Sequence, residues 1–203
     1  MVMPHNTIQI HIASIIKESI VDGPGIRLAV FFQGCPHNCP GCHNPHTHPM
    51  DGGSLVSIGS VLETARRNPL LRGITLSGGE PFMQASAAAT LASAAKSEGL
   101  DVVTYTGYTL EQLVLLASEA EQSVNDNSTP HPGIDDADPK GHLLPDTAGI
   151  MALLRATDIL IDGPYIETQR TLDAPFKGSS NQRIIDVSST IAANYTIVPA
   201  QFK

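Results

Sequence analysis

All three cysteines of this chain fall within one stretch, GCPHNCPGCHNPHTHP (34–49), as Cys35, Cys39 and Cys42. Four of its eight histidines, His37, His43, His46 and His48, share that stretch. Thiolates and imidazoles are ligands for soft and borderline metals. An odd number of cysteines spaced this tightly does not make the disulfide framework of a small secreted domain. Confinement to one Pro/Gly-rich loop also speaks against three unrelated buried thiols. Two metal readings remain. The three cysteines and one of the four histidines would complete a closed, structural Cys3His zinc site. An iron–sulfur cubane takes four thiolates, so three would leave one iron open to a further ligand. Spacing alone does not choose between them.

The elements around the loop say where it sits. GIRLAVFFQG alternates Ile26, Leu28, Val30 and Phe32 against Ala29 and Phe31, apolar on both faces, as in a buried strand. SLVSIGSVLETARRNP places Ile58, Val61, Leu62 and Ala65 at helical spacing, with Pro69 as a stop. GITLSGGEP reads as a strand running into a glycine turn, and the Ala-rich stretch 84–98 as a helix closed by Gly99. DVVTYTG is a further strand, and Leu110, Leu113, Val114 and Ala117 mark a helix. TAGIMALLRAT is another helix, leading into the strand DILIDGP. Alternating strands and helices predict an α/β fold with a parallel sheet, whose functional residues gather at the C-terminal strand ends. The cysteines, SGGEP, TYTGY and IDGPY all fall at such ends.

Composition narrows the class. With 203 residues, 41% hydrophobic, a single sizeable domain spanning 1–203 is expected. The net charge is −8, and Lys and Arg do not cluster, which argues against a nucleic-acid partner. No run of 18 apolar residues predicts a membrane span, and the N-terminus does not read as a secretory signal, so a soluble, cytoplasmic protein is expected. Residues 121–146 carry four prolines, six acids and few apolar residues and read as a loop insertion. Within it, Asp135, Asp136 and Asp138 read as solvated rather than as a cation site.

The flanks of the cysteine loop make the choice that spacing does not. C-x3-C-x2-C after a strand resembles the radical S-adenosylmethionine (SAM) enzymes. VDGPGIR (21–27), FFQGC (31–35) and CHNP (42–45) are similar to the glycyl-radical-enzyme activases within that superfamily. LSGGEPF (76–82), TYTGY (104–108), LIDGPY (160–165) and FKGSSNQR (176–183) resemble the activating proteins of anaerobic ribonucleoside-triphosphate reductases. The likeness runs in order through 20–120 and 147–186 and leaves 121–146 without a counterpart.

The resemblance implies an open, partial (β/α) barrel with a mainly parallel sheet. It implies a [4Fe–4S] cluster on Cys35, Cys39 and Cys42, with SAM on the open iron, and then His37, His46 and His48 are not ligands. Many radical SAM enzymes carry an aromatic residue before the third cysteine; here Gly41 stands there, and the adenine side falls to Gly41, Cys42 and His43. Ser77, Gly78, Gly79 and Glu80 would lie along the SAM amino group and offer backbone carbonyls to it, where a close approach needs glycine. Asp22 to Gly25 and Arg27 would shape the cluster end, with a surface ion pair as the plainer reading of Arg27. Thr106, Gly107, Tyr108, Asp162 and Gly163 would contact SAM or the partner, or serve plain turn chemistry. Gly178 to Arg183 would lie near the rim, for no reason visible in the sequence. No catalytic residue is implied beyond cluster and SAM. The implied partner is the large subunit of the anaerobic reductase, with reduced flavodoxin or ferredoxin as electron donor. Pyruvate formate-lyase is the alternative partner, and the zinc-bound module the reading from another class.

Overall fold

The computed structural model describes residues 7–125 and 145–201. Its centre is a seven-stranded sheet with the order β3-β1-β2-β4-β5-β6-β7. Four strands run parallel in the middle: β2 (Arg27–Phe32), β4 (Gly73–Gly78), β5 (Asp101–Tyr105) and β6 (Ile159–Asp162). Antiparallel strands extend both sides: β1 (Gln9–Ser19) and β3 (Ser54–Ser57) beyond β2, and β7 (Arg183–Asp186) beyond β6. The sheet therefore ends in two edges and does not close, as an open, partial barrel requires.

Each parallel strand is a short, mostly apolar run; β4 and β5 lead directly into helices, while β3 intervenes after β2 and β7 follows β6. Leu28, Val30, Phe32, Ile74, Leu76, Val102 and Leu160 point to one face and pack in a core with α1 (Ile58–Arg66), α2 (Ala85–Ser97), α3 (Leu110–Asn125) and α4 (Ile150–Ala156). The helix α5 (Val187–Ala192) follows β7. The alternate residues Ala29, Phe31, Thr75, Val103 and Ile161 are buried on the other face, beneath loops instead of helices.

Helix starts are set by local chemistry. The Ser57 hydroxyl accepts from Ser60 N–H at the start of α1. Thr109 and Gln112 bond each other's backbone N–H groups as a capping box ahead of α3. Gly99, at φ +84°, ends α2 with the paired Leu100-to-Ala95 and Gly99-to-Lys96 bonds of a Schellman motif.

Two elements depart from the sequence reading. Residues 54–57, read as the start of a helix, form β3, because Leu55 and Val56 lie opposite His11 and Ile10 of β1. Helix α3 runs on to Asn125, into the stretch read as an insertion. Asp135, Asp136 and Asp138 lie outside the described residues. Among the described residues, no helix is long and apolar enough to cross a membrane.

Candidate functional site

The C-terminal ends of β2, β4, β5 and β6 surround one cleft, lined by Cys35, Cys39 and Cys42 together with Ser77, Gly78, Gly79, Tyr105, Thr106, Gly107 and Gly163. From the far side, Tyr165, Gly178 and Gln182 complete the wall. The expected convergence of the four strand-end motifs is what the sheet produces.

The cysteine loop is fastened at its base. Gly34 N–H donates to Thr47 O (2.9 Å) and Cys35 N–H to His48 O (3.1 Å), so residues 36–46 project as a closed loop. Buried Gln33 donates to Pro49 O (2.5 Å) beneath it. The end of β4 is drawn hard against the same segment, with Gly79 N–H on Phe32 O and Glu80 N–H on Gly34 O, both 2.8 Å. A Cβ on Gly79 would lie 2.4 Å from Gly34 O, and one on Gly78 2.5 Å from Phe31 Cα, so this approach is open only to glycine.

Glu80 has a different place from its glycines. Its side chain is fully buried and turned away from the cleft into the protein. The carboxylate accepts from Phe82 N–H (3.1 Å), Gly107 N–H (2.8 Å) and the Thr106 hydroxyl (3.0 Å). His37 Nε2 lies 2.9 Å from it, and the His37 ring meets Tyr108 edge-on at 4.4 Å. One carboxylate thus joins the cysteine loop to the ends of β4 and β5. The Glu80 backbone is taken as well, its N–H by Gly34 O and its carbonyl by Met83 N–H, so Glu80 supports the cleft from behind and does not line it.

The remaining candidates divide. His43 lines the cleft with its ring 5.0 Å from that of Tyr165. Gly41, at φ +71°, lies outside the lining, against the Glu167 side chain. Asp162 is fully buried; its carboxylate caps α3 through Leu110 N–H (2.8 Å) and pairs with Arg183, so it serves the fold. His37, set aside as a ligand in the sequence, lines the cleft and holds its Nε2 2.9 Å from the Glu80 carboxylate. His48 lines the cleft.

The motif VDGPGIR differs most from expectation. Arg27 is neither on the surface nor at the cluster end. It opens β2, fully buried, and donates to Thr75 Oγ1 (2.7 Å), Ile74 O (2.6 Å) and Asp101 O (3.1 Å) while pairing with the Asp101 carboxylate at 2.5 Å. Thr75 Oγ1 donates to Asp22 O (2.7 Å), and Gly23 lies close to Val103. The loop therefore folds back over the lower half of the sheet's open face and plugs it.

The donor chemistry of the loop fits a thiolate-bound metal group. All three cysteines are free and half-buried. Asn44 N–H donates to Cys42 Sγ at 3.4 Å, a donor of the kind that accompanies cluster sulfurs. Burial, then the Glu80 charge, push the Cys35 thiol up to about 12, and burial raises Cys39. Metal loading must therefore expel protons. Among the described residues, no three His, Cys, Asp or Glu side chains stand close enough to hold a single metal ion.

Comparison with known proteins decides the family. A family described as "4Fe-4S single cluster domain" matches residues 21–127 and 141–185. The anaerobic ribonucleoside-triphosphate reductase-activating protein of Vibrio cholerae is 30% identical over 176 residues, 81% of this chain and 90% of that one. The chain belongs to the anaerobic ribonucleoside-triphosphate reductase-activating protein family. The Escherichia coli protein of the same name is 27% identical over 173 residues, 80% of this chain and 90% of its own length. The pyruvate formate-lyase-activating enzyme of Clostridium pasteurianum is 39% identical over 94 residues, but these are 44% of this chain and 40% of that one. Among solved structures, QueE from Escherichia coli aligns over 50% of this chain at 20% identity, with a TM-score of 0.39. As a family member the chain is an enzyme, a radical SAM activase of glycyl radical enzymes.

Proposed function

We propose that this activase binds a [4Fe–4S] cluster through Cys35, Cys39 and Cys42 and generates a glycyl radical on an anaerobic ribonucleoside-triphosphate reductase, in the cytoplasm. Held by Cys35, Cys39 and Cys42, the cluster would supply one-electron reduction of SAM, with the electron from a reduced flavodoxin or ferredoxin; the products would be methionine and 5′-deoxyadenosine carrying a hydrogen atom taken from a glycine Cα of the partner, which would be left as the glycyl radical. The chain's own residues bind, orient and shield. Three thiols on one loop, closed at its base by Gly34 and Cys35 and tied at His37 to Glu80, would share the cluster. The glycines of β4 let a ligand lie against bare backbone beside them, and His43 and Gly41 remain the candidates for the adenine side. Thr106 and Gly107, locked on Glu80, keep the floor of the cleft from shifting.

The observation that carries this reading is the sharing of one cleft by all three thiols and the Ser77–Gly79 turn. A structural zinc clamp would leave that turn without a purpose. The open sheet also suits a substrate that is a loop of another protein.

Electron paramagnetic resonance of anaerobically reconstituted, dithionite-reduced protein, with and without SAM, tests the proposal. A reduced-cluster signal that changes on adding SAM is expected, and zinc without iron would overturn it. The partner is tested separately, by offering the reductase and pyruvate formate-lyase side by side. Radical formation on the formate-lyase alone would favour the second reading, which the higher identity over the shorter match to the Clostridium pasteurianum enzyme supports.

A further inference from the structure

Three motifs meet at one side chain. His37 stands midway between Cys35 and Cys39, and its side chain is 17% exposed. Its Nε2 lies 2.9 Å from the carboxylate of Glu80, 43 positions along the chain. Its ring meets that of Tyr108 edge-on, with 4.4 Å between centroids. The same ring occupies the space over Gly107, where a Cβ would come within 2.3 Å of His37 Cδ2. One imidazole thus joins CPHNC, SGGEP and TYTGY, which follow β2, β4 and β5, and it explains why the last of them carries glycine at 107.

The bond to Glu80 has a fixed direction. A carboxylate only accepts, so His37 Nε2 carries the hydrogen, whether or not Nδ1 is also protonated. Glu80 is itself held firmly. Its buried carboxylate accepts from Phe82, Thr106 and Gly107, and its backbone N–H donates to Gly34 O at 2.8 Å. Directly before it come Ser77, Gly78 and Gly79, the turn that walls the cleft beside the thiols. The cysteine loop, by contrast, is closed only at its base by the Gly34 and Cys35 N–H groups. Further out, Cys42 N–H on Cys39 O (3.2 Å) and Asn44 N–H on Cys42 Sγ (3.4 Å) are local bonds. Local bonds shape a loop but do not set where it stands over the sheet. The bond from His37 does, because it ends on the residue that follows the glycine turn.

We propose that His37 is a positioning residue that holds the thiol loop in place beside the Ser77–Gly79 turn, so that a cluster on the loop meets SAM lying on the turn. The inference deepens the activase reading and rests on it for the identity of both groups. Two substitutions separate the donor from the ring. His37→Phe keeps an aromatic ring beside Tyr108 and over Gly107 and loses the donor. His37→Gln keeps a donor of similar reach and loses the ring.

The test reconstitutes the wild type, His37→Phe, His37→Gln and, as a control, His46→Gln, which changes an exposed histidine of the same loop. Iron and sulfide content are measured first. The dissociation constant for SAM then follows from titrating the change that SAM makes in the reduced-cluster resonance. At equal iron content, SAM is expected to bind about tenfold more weakly to His37→Phe, the scale of one hydrogen bond to a charged group. His37→Gln should recover most of that loss, and His46→Gln should bind as the wild type does. Wild-type affinity in loaded His37→Phe overturns the inference, and so does a His37→Gln protein as weak as His37→Phe. Should His37→Phe hold no iron, His37→Gln decides: iron and SAM binding regained support the donor's role, and an equally empty protein overturns it. A wild-type cluster that ignores SAM sinks the activase reading and this inference together. A wild-type response that His37→Phe leaves unchanged sinks this inference alone.

Discussion

At the N-terminal ends of β2, β4 and β5 the chain buries a whole arginine under a glycine-bearing loop; at the C-terminal ends of the same strands it leaves glycines, thiols and an open cleft. Both ends use long-range polar bonds and backbone brought close through glycine. At the lower end, Arg27 and Arg72 both pair with Asp101, with Arg72 Nε 2.9 Å from its carboxylate. At the upper end, Glu80 spends its acceptors on Thr106, Gly107 and Phe82 and thereby fixes the frame of a site. A buried charge at one end is thus a plug, and at the other a fixture for a binding surface. The difference teaches that burial and pairing do not by themselves mark function. What marks it is whether the satisfied group holds something that faces the cleft.

The comparison can be broken from either side. The largest effect is expected from Cys39→Ala, since two thiolates rarely hold a cubane: iron content after reconstitution should collapse and no radical should form on the partner. Full iron and sulfide content would refute the ligand assignment.

Glu80→Leu comes next. It leaves buried donors on Thr106, Gly107 and Phe82 without an acceptor, at about 1–3 kcal/mol for each one that water cannot reach. A lowered denaturant midpoint is expected together with a loss of the SAM-induced change in the cluster signal. An intact SAM response in the folded protein would separate Glu80 from the site.

Arg27→Met tests the other end. Removing a buried cation from its hydrogen bonds should cost roughly 3 kcal/mol, less than a fully enclosed pair because the Asp101 side chain is 31% exposed. Here the SAM response per folded chain should equal that of the wild type. A changed response would erase the contrast between the two ends.

The smallest effect is a pH dependence at the rim. Arg183 holds the Glu111 carboxyl at about 2, well below its ordinary range near 4.3. A lowered folded value means that the pair stabilises the fold above the ordinary range and loses this as pH falls from about 5 towards 2. Glu111 is 61% exposed, so the loss should stay below about 1 kcal/mol. Melting temperatures of wild type and Glu111→Gln should converge towards pH 2, and a gap that stays constant between pH 5 and 2 would contradict the pairing.

Much of this was legible in the sequence, for reasons that differ between elements. The strands around Val30, Leu76, Val103 and Ile161 were readable because they are short apolar runs that end in glycine. The edge strands were not: QIHIASIIKES and RIID mix polar and apolar residues, and SLVS runs straight into a helix pattern. The cysteine loop and the SGG turn were readable because their spacing is local. The partnership of His37 with Glu80 spans 43 residues and that of Thr106 with Glu80 spans 26, and no local pattern announces either.

By itself the sequence determined the alternation of strands and helices, the ends of the strands where chemistry would gather, and the three thiols able to hold a metal group. Apolar periodicity, turn residues and ligand spacing are short-range properties, carried by neighbouring residues. Only the tertiary structure decided that Arg27 plugs the far end, that the Glu80 side chain faces inward, and that Gln182 ties Gly163 to Gly178 in the cleft wall. Those outcomes depend on which strands lie side by side, because a buried polar group takes whatever partner the sheet order brings within hydrogen-bond reach.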